Sequence, residues 1–453
     1  MAAPVSADVI GLRTAIPVGE KFSIALNENV KATLAWGDGT TEEVSFNGAE
    51  VGITVKHAEL TLTSEKNITN LYCPDCALTE LNLSNVPNLN VLICPDNQLK
   101  NLDLSATTKL TELNCEGNQM TSLKLSKCPE LVTVNCSNNQ LTSLSATNQE
   151  AMKTLLCANN KLTSLSIMTA KNLEALWCQG NGMKTLTLAS TAKPSQICAF
   201  DNEFTTFPTV NLEDVKEFWV DNNKLQTLDL SKVNLETLSA SNNLLTDITF
   251  HEDLTDNLKY FYVDNNSLLF NSFPTLYHKS SKDTIVVHNI SDQRPYEVAS
   301  LNVNESVDLK NKIRDNAIGD HTRVVVTWMN EAGAELVRNK DYKVSNYKYT
   351  FLTPNKGVHA TLTSQYYPEL VLKVAKFDVI DPTGINDVEA ADGIRVSVNA
   401  GQLKVVCSKD THLRIYNVSG VLLINENVVA GTHAWTLPAG LYVVNGKKVV
   451  VNH

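Results

Sequence analysis

With 453 residues, 43% of them hydrophobic and 19% charged, the chain has the composition of a folded globular protein and exceeds what one compact core accommodates. Its formal net charge of −11 leaves no basic field to displace counterions from phosphate, which argues against nucleic acid as a partner. No apolar run approaches the roughly 20 residues of a membrane-spanning helix, so no transmembrane segment is expected.

The start, MAAPVSADVI, has neither a basic n-region nor an apolar h-region. It fits a cytosolic N-terminus, or one in which Met1 stands in place of a leader; the domains downstream favour the second. Residues 1–65 read as strands. Ala32-Thr-Leu-Ala-Trp36 alternates, Gly37-Asp38-Gly39 makes a turn, and Thr40-Thr-Glu-Glu-Val44 returns. Asp38 reads as a turn acid of that hairpin rather than a calcium ligand. The WGDGT run, Trp36 to Thr40, resembles a motif of PKD-type β-sandwich modules of extracellular bacterial proteins. Such a module is expected to cap the otherwise bare first turn of the repeats that begin at residue 66.

From residue 66 to about 275 the chain is periodic. Cys73, Cys94, Cys115, Cys136, Cys157 and Cys178 succeed one another at 21-residue intervals. Three residues after each stands a second column: Cys76, Asn97, Asn118, Asn139, Asn160 and Asn181. The period continues through Ala199/Asn202 and Val220/Asn223, then drifts at Ala240/Asn243 and Val263/Asn266. Around each slot the frame is L-x-x-L-x-C-x-x-N-x-L/M-x-x-L-x-L, the leucine-rich-repeat pattern with cysteine in one strand position. Each unit has one apolar edge that only its neighbours can cover, so about ten turns stack into a solenoid. The remaining half-turns lack helical periodicity and predict extended or 3₁₀ segments on the convex side.

The cysteine column resembles that of the cysteine-ladder internalins, bacterial surface adhesion proteins, over about residues 66 to 270. It departs after Cys178, where Ala and Val fill the slot. The resemblance implies surface attachment and partner binding.

Cys73-Pro-Asp-Cys76 has C-x-x-C spacing, but the tetrad recurs one turn on as Cys94-Pro-Asp-Asn97. Cys73 is therefore a ladder residue and Cys76 occupies the asparagine column. The six ladder thiols are expected to be reduced, buried and packed as small apolar groups. A straight row cannot converge four ligands tetrahedrally, so no metal is expected on it. No cofactor is expected either. The asparagine amides are expected to satisfy backbone groups where each strand ends.

Residues alternating with the buried ones line the concave face. Tyr72, Trp177, Trp219 and Tyr262 precede slots, Tyr260 lies three before one, and Phe200 comes directly after one. Asp201, Asp221 and Asp264 border them. Aromatic rings pointing to solvent mark a candidate binding face, because interfaces favour Trp and Tyr. Trp177 and Trp219 are two turns apart, about 10 Å along the rod. Cys198 lies between them, one residue before the Ala199 slot, and is expected to be the exposed, reactive thiol of the array.

Between 276 and 380 the period gives way to short β runs: Thr284–Val287, Val324–Trp328, Lys348–Phe351 and Leu370–Val374. Turn signals such as Pro354-Asn-Lys-Gly357 separate them, as in an Ig-like sandwich. Asp381 to Gly393 reads as a linker. Residues 394 to 453 alternate as strands, with a type I′ hairpin at Asn445-Gly446. The Y-x-x-x-G and L-P-x-G-x-Y elements (Tyr416 to Gly420, Leu437 to Tyr442) resemble the C-terminal sorting domain of type IX secretion substrates, over about residues 385 to 453. That resemblance implies export and surface attachment.

No nucleophile elbow, P-loop, dinucleotide fingerprint or H-E-x-x-H pair occurs, and no catalytic residue is nominated. The sequence reads as a mostly β protein, a leucine-rich-repeat solenoid of 21-residue repeats flanked by β-sandwich modules. Its expected role is a secreted or outer-surface recognition protein or adhesin that binds a protein on its concave face. A glycan ligand stacked on Trp177 and Trp219, or a structural surface spacer, are the alternatives.

Overall fold

The computed structural model describes residues 7–208, 212–250, 257–273, 287–313, 324–364, 367–381, 393–399 and 402–451. The chain forms two compact units that divide between Arg294 and Pro295. The expected run at Thr284–Val286 and the body of the expected linker, 382–392, lie outside the described residues.

The first unit begins with a five-stranded sheet in the order Thr41–Phe46, Val30–Trp36, Glu59–Ser64, Asp8–Thr14, Leu78–Asn85. The alternation read from Ala32 to Trp36 buries one face, with Leu34 and Trp36 inside. The Trp36–Thr40 turn closes through Trp36 N–H to Thr40 O at 2.9 Å and Gly39 N–H to Trp36 O at 2.9 Å. Asp38 Oδ1 accepts from Thr40 N (2.9 Å) and Thr40 Oγ1 (2.7 Å), and these bonds hold its carboxyl below the usual range. Its acid locks the turn.

A separate strand, Lys21–Leu26, lies outside this sheet and pairs antiparallel with Asn70–Tyr72, matching Ala25 to Tyr72 and Leu26 to Leu71. The first repeat strand thus receives backbone partners that no preceding repeat could offer. The result is a thirteen-stranded sheet: two antiparallel N-terminal strands and then eleven parallel ones, one per turn.

Within a turn the physics is the same each time. The slot cysteines Cys73 to Cys178 are fully buried and free, as are the central strand residues such as Leu113, Val134 and Leu155. Asn97 shows what the second column does. Its Oδ1 accepts from Leu78 N (2.8 Å) and Cys76 N (3.1 Å), while Nδ2 donates to Cys73 O (2.9 Å) and Cys94 O (3.1 Å). One amide therefore ties two turns together, as do Asn118 through Asn266. Cys76 heads the column, and its thiol turns to Ser23 O and Pro74 O, both at 3.2 Å.

A third column escaped the sequence reading. The residue before each asparagine is Asp, Asn or Gly in every turn, and its φ is positive throughout, from Asp75 (φ 48) and Asp96 (φ 55) to Asn265 (φ 54) and Asp292 (φ 53). The chain leaves each strand through a left-handed residue, where Asp, Asn and Gly are least strained. Gly117 and Gly180 also answer to space: a Cβ on either would come within 2.3 Å of the Asp96 or Asn159 side chain.

The array runs past the expected border at 275. Val287–Asn289 pairs parallel with Tyr260–Tyr262, and Ile290 takes the slot. Gln293 replaces the asparagine, donating to Val263 O (2.9 Å) and Ile290 O (3.1 Å) while accepting from Leu268 N (2.9 Å). It stands 27 residues after Asn266 rather than 21, and a fixed-period search passes over it.

The convex side is extended, with parallel pairs such as Ser164–Ile167 and Thr185–Leu188. The helical element among the described residues is one 3₁₀ turn, Phe270–Ser272. Where thiols give way to Ala199 and Val220, aromatic rings enter the core. Phe207 meets Phe204 and Phe218 edge-on, with centroids 5.2 and 5.0 Å apart. Cys128 belongs to a second, convex column beside Thr107, with Sγ 3.8 Å from its Oγ1.

The second unit holds two pairs of sheets. The strands Leu301–Asn302, Tyr367–Ile380, Asn355–Ser364 and Val324–Met329 form one sheet, and Ser306–Asp308, Lys348–Phe351 and Tyr342–Ser345 another. Fully buried Trp328 joins them, packing edge-on to Phe351 (5.1 Å), Tyr349 (5.4 Å) and Phe377 (5.9 Å). Pro354–Gly357, read as a turn, instead opens the long strand Asn355–Ser364 through a bulge at Gly357 (φ 56), whose N–H bonds Asp378 Oδ1 at 2.8 Å. Residues 394–451 form a three- and a four-stranded sheet around Leu403, Val405, Leu413, Ile415 and Val444. Asn445 (φ 43) and Gly446 (φ 85) make the tight hairpin between Gly440–Val444 and Lys447–Val451.

Candidate functional site

The parallel register aligns the concave face into rows. The residue before each slot pairs with its counterpart one turn on: Tyr72 with Ile93, Leu156 with Trp177, Trp177 with Cys198, Cys198 with Trp219, Trp219 with Ser239, and Ser239 with Tyr262. Each is flanked in sequence by buried residues, so the row points out. Trp177 is 40% exposed; Trp219 and Tyr262 are half-buried. Tyr260 belongs to the parallel row that contains Glu217 and Thr237 and is 41% exposed. Half-buried Phe200 comes directly after the Ala199 slot. Tyr72 shares the row of Trp177 but lies five strands away, about 24 Å, and is not part of the cluster.

Cys198 departs from expectation. It stands in the outward row between Trp177 and Trp219, yet only 6% of it is exposed. The error lies in size, not register: a short side chain between two indoles, each one strand spacing away, sits below their surface. Burial pushes its thiol up to about 12, and the carboxylates of Asp221 and Asp201 add to the shift. Cys198 is thus protonated and covered, the opposite of a reactive thiol. In native protein at pH 8, no cysteine should react rapidly with iodoacetamide, while all ten should react in denaturant; mass spectrometry of the labelled chain reads the difference. Fast labelling at Cys198 alone would restore the exposed reading.

The three aspartates differ. Asp201 is one of the left-handed turn residues (φ 53), and its Oδ1 accepts from Asn222 Nδ2 at 2.6 Å. Its residue type is explained by the turn. Asp221 and Asp264 instead stand directly after slots and project from the sheet. Asp221 Oδ1 accepts from Ser239 Oγ (2.7 Å) and Ser241 N (2.8 Å); Asp264 Oδ1 accepts from Ser241 Oγ (2.5 Å). Ser241 therefore joins two carboxylates. Burial raises the Asp221 carboxyl, its hydrogen bonds oppose that, and Asp264 repels it further. Ser239 and Ser241 carried no sequence signal, because only the register sets them beside acids.

The electrostatics of the whole face are one-sided. Four outward rows line the eleven strands: three before, one before, one after and two after each slot. They hold nine acidic residues, among them Glu112, Glu116, Glu217, Asp221 and Asp264, and no Lys, Arg or His. The nearest lysines stand one position before the strands and are engaged at the rim, Lys153 with Glu174 (2.8 Å) and Lys259 with Glu236 (2.7 Å).

Residues 108–148 match the family described as Leucine Rich repeats (2 copies). The array is a leucine-rich-repeat solenoid. No curated protein matches the chain. Among solved structures, it is similar to YopM from Yersinia enterocolitica, at 26% identity over 40% of this chain and 38% of that one, with a TM-score of 0.36. It is also similar to the functional domain of InlJ from Listeria monocytogenes, described as including a cysteine ladder, at 17% identity over 70% and 92% of the two chains, TM-score 0.27. YopM from Yersinia pestis, described as a leucine-rich effector protein, is 24% identical over 45% and 62%, TM-score 0.34. The chain spans about two fifths of the first of these and less than two thirds of the last.

Proposed function

We propose that this leucine-rich-repeat protein is a secreted or cell-surface recognition protein that holds a protein partner on its concave face, acting by binding rather than catalysis. The observation that carries the reading is the gathering of Trp177, Phe200, Trp219, Tyr260 and Tyr262 within five consecutive turns of one outward face. Large apolar rings at the surface lose water on association, and Trp and Tyr dominate interface energetics. The flanking units are part of the proposal. Residues 1–65 act as a PKD-type cap, 276–380 as an Ig-like spacer apart from the final repeat strand, and 381–453 as a sorting-type domain for export and surface attachment. Supporting this are the acid-locked turn at Asp38, the two sheets around Trp328, and the Tyr442 hydroxyl bonded to Pro438 O at 2.8 Å within the L-P-x-G-x-Y run.

Arrays of surface-protein ectodomains and of glycans, probed with the labelled chain, test it. The expected result is binding to a protein ectodomain that falls at least ten-fold in Trp177→Ala and Trp219→Ala and is unchanged when Trp435, in the second unit, is replaced. Saccharide binding lost with Trp219→Ala would replace the protein partner by a glycan. Failure to bind either array would leave a structural spacer.

A further inference from the structure

We propose that the concave face recognises a protein segment carrying arginine or lysine side chains, with one cation seated on the indole of Trp219 beside the carboxylate of Asp221. Trp177, two strands to one side, and Asp264, two strands to the other, take neighbouring side chains of the same segment. This rests on the concave-face reading above and names the chemistry of its partner. Three independent observations point the same way. Outside the left-handed turn column, whose Asp, Asn and Gly answer to the backbone, the three remaining outward rows hold five acids (Glu112, Glu116, Glu217, Asp221 and Asp264) and no basic residue, although the whole chain carries 38 Lys and Arg against 49 Asp and Glu. An even scatter would have put several cations there. Of the lysines flanking the strands, Lys153 and Lys259 pair with rim glutamates and Lys216 donates to Asn234 O at 3.2 Å, so each is engaged at the rim.

The second observation is the packing of like charges. Asp221 and Asp264 share Ser241 as a common donor, and Asp221 also takes Ser239 Oγ at 2.7 Å. Hydroxyl and amide dipoles hold these carboxylates, and neither has an ion-pair partner among the described residues. A half-buried carboxylate with a like neighbour gains most from an incoming cation, since partial burial weakens solvent screening.

The third observation is the position of the rings. Trp219 ends its strand and Asp221 follows two residues on, with buried Val220 between them, so an indole and a carboxylate stand on the same side. Trp177 is two strands away in the same row. A guanidinium over an indole face within about 6 Å gains cation–π attraction, and its edge can meet a carboxylate in the same pose. Anionic partners such as nucleic acids and acidic saccharides meet repulsion over the whole face.

The test uses the full chain and three 12-residue Gly/Ser peptides of one design bearing four Arg, four Gln or four Glu. Binding is followed by fluorescence anisotropy at 50 and 300 mM NaCl. The Arg peptide should bind at least ten-fold tighter than the other two and weaken several-fold at the higher salt. Asp221→Asn with Asp264→Asn should cost at least five-fold, as should Trp219→Ala. Glu130→Gln with Glu213→Gln removes the same charge from exposed positions on the convex half-turns and should leave the affinity unchanged. The asparagine pair keeps the side-chain shape and an acceptor oxygen, and a melting curve confirms folding.

Equal loss in the convex pair, or an Arg peptide no tighter than its Gln counterpart, overturns the cation site. Ectodomain binding that still needs Trp177 and Trp219 would then leave the concave-face reading standing. Ectodomain binding indifferent to both tryptophans would instead remove that reading itself.

Discussion

Raising the pH from 9 to about 10.5 is expected to unfold the repeat array, because its buried thiols must stay protonated in the folded chain. Burial pushes Cys94 and Cys136 up to about 12, and raises Cys73, Cys115, Cys157 and Cys178 as well. In the unfolded chain each thiol ionises near its ordinary value of about 9. Below that pH both states hold these protons, and the ladder's full contribution to stability is present. Above it the unfolded chain sheds protons that the folded chain retains, so stability falls as pH rises toward the folded values.

Each such thiol costs about 1.4 kcal/mol per pH unit, six acting together cost on the order of 8 kcal/mol per unit, and the raised thiols of Cys76, Cys128 and Cys198 add to this. A typical domain has about 5–15 kcal/mol of stability in all. Denaturant melts from pH 8 to 11 on the parent chain and on a variant with Cys115, Cys136 and Cys157 changed to Ala check this. The variant should lose stability about two-thirds as steeply above pH 9, whatever its stability at pH 7. Identical slopes would show that groups other than the ladder thiols drive alkaline unfolding.

Asn139→Ala is expected to be the most damaging single truncation among the ladder columns, costing about 3–5 kcal/mol. The side chain is 8% exposed. Its Oδ1 accepts from Met120 N (3.0 Å), and its Nδ2 donates to Cys115 O (3.0 Å), Cys136 O (3.3 Å) and Ser137 O (3.1 Å). Alanine leaves these backbone groups buried without their partner, and each orphan costs about 1–3 kcal/mol. Asn139→Asp separates this cost from simple loss of volume. The aspartate has the same shape and can still accept from Met120 N, but it aims a carboxylate oxygen at three carbonyls and should be at least as harmful.

Cys136→Ala removes one small apolar atom and should cost less than either; Cys136→Ser, which brings a hydroxyl into the slot, about 1–3 kcal/mol. Urea melts of the four variants give the order. Should Asn139→Ala cost no more than Cys136→Ala, the bridging amides would be dispensable and the apolar slots alone would hold the turns together.

Much of the solenoid is legible in the residues because its determinants are local and repeated. Slot, amide and leucine positions recur at one spacing, and the alternation of strand neighbours assigns each side chain a face. The left-handed turn column was equally legible, being Asp, Asn or Gly in every turn, and would have marked Asp201 as a turn residue. The eleventh turn was hidden by a longer spacing and by Gln293 in place of asparagine, two departures that break a periodic search without breaking the hydrogen bonds.

Burial within the outward row was decided elsewhere. Alternation says which way Cys198 points, but its cover comes from Trp177 and Trp219, each 21 positions away and one strand spacing distant. The joining of Asp221 to Asp264 through Ser241 likewise depends on residues from three turns meeting across the sheet. Sequence by itself determined the period, the inward columns and the sign of the charge on the concave face. Tertiary structure alone decided which outward side chains reach solvent and which carboxylates share a donor, because exposure and coupling depend on the sizes of neighbours brought together only by stacking.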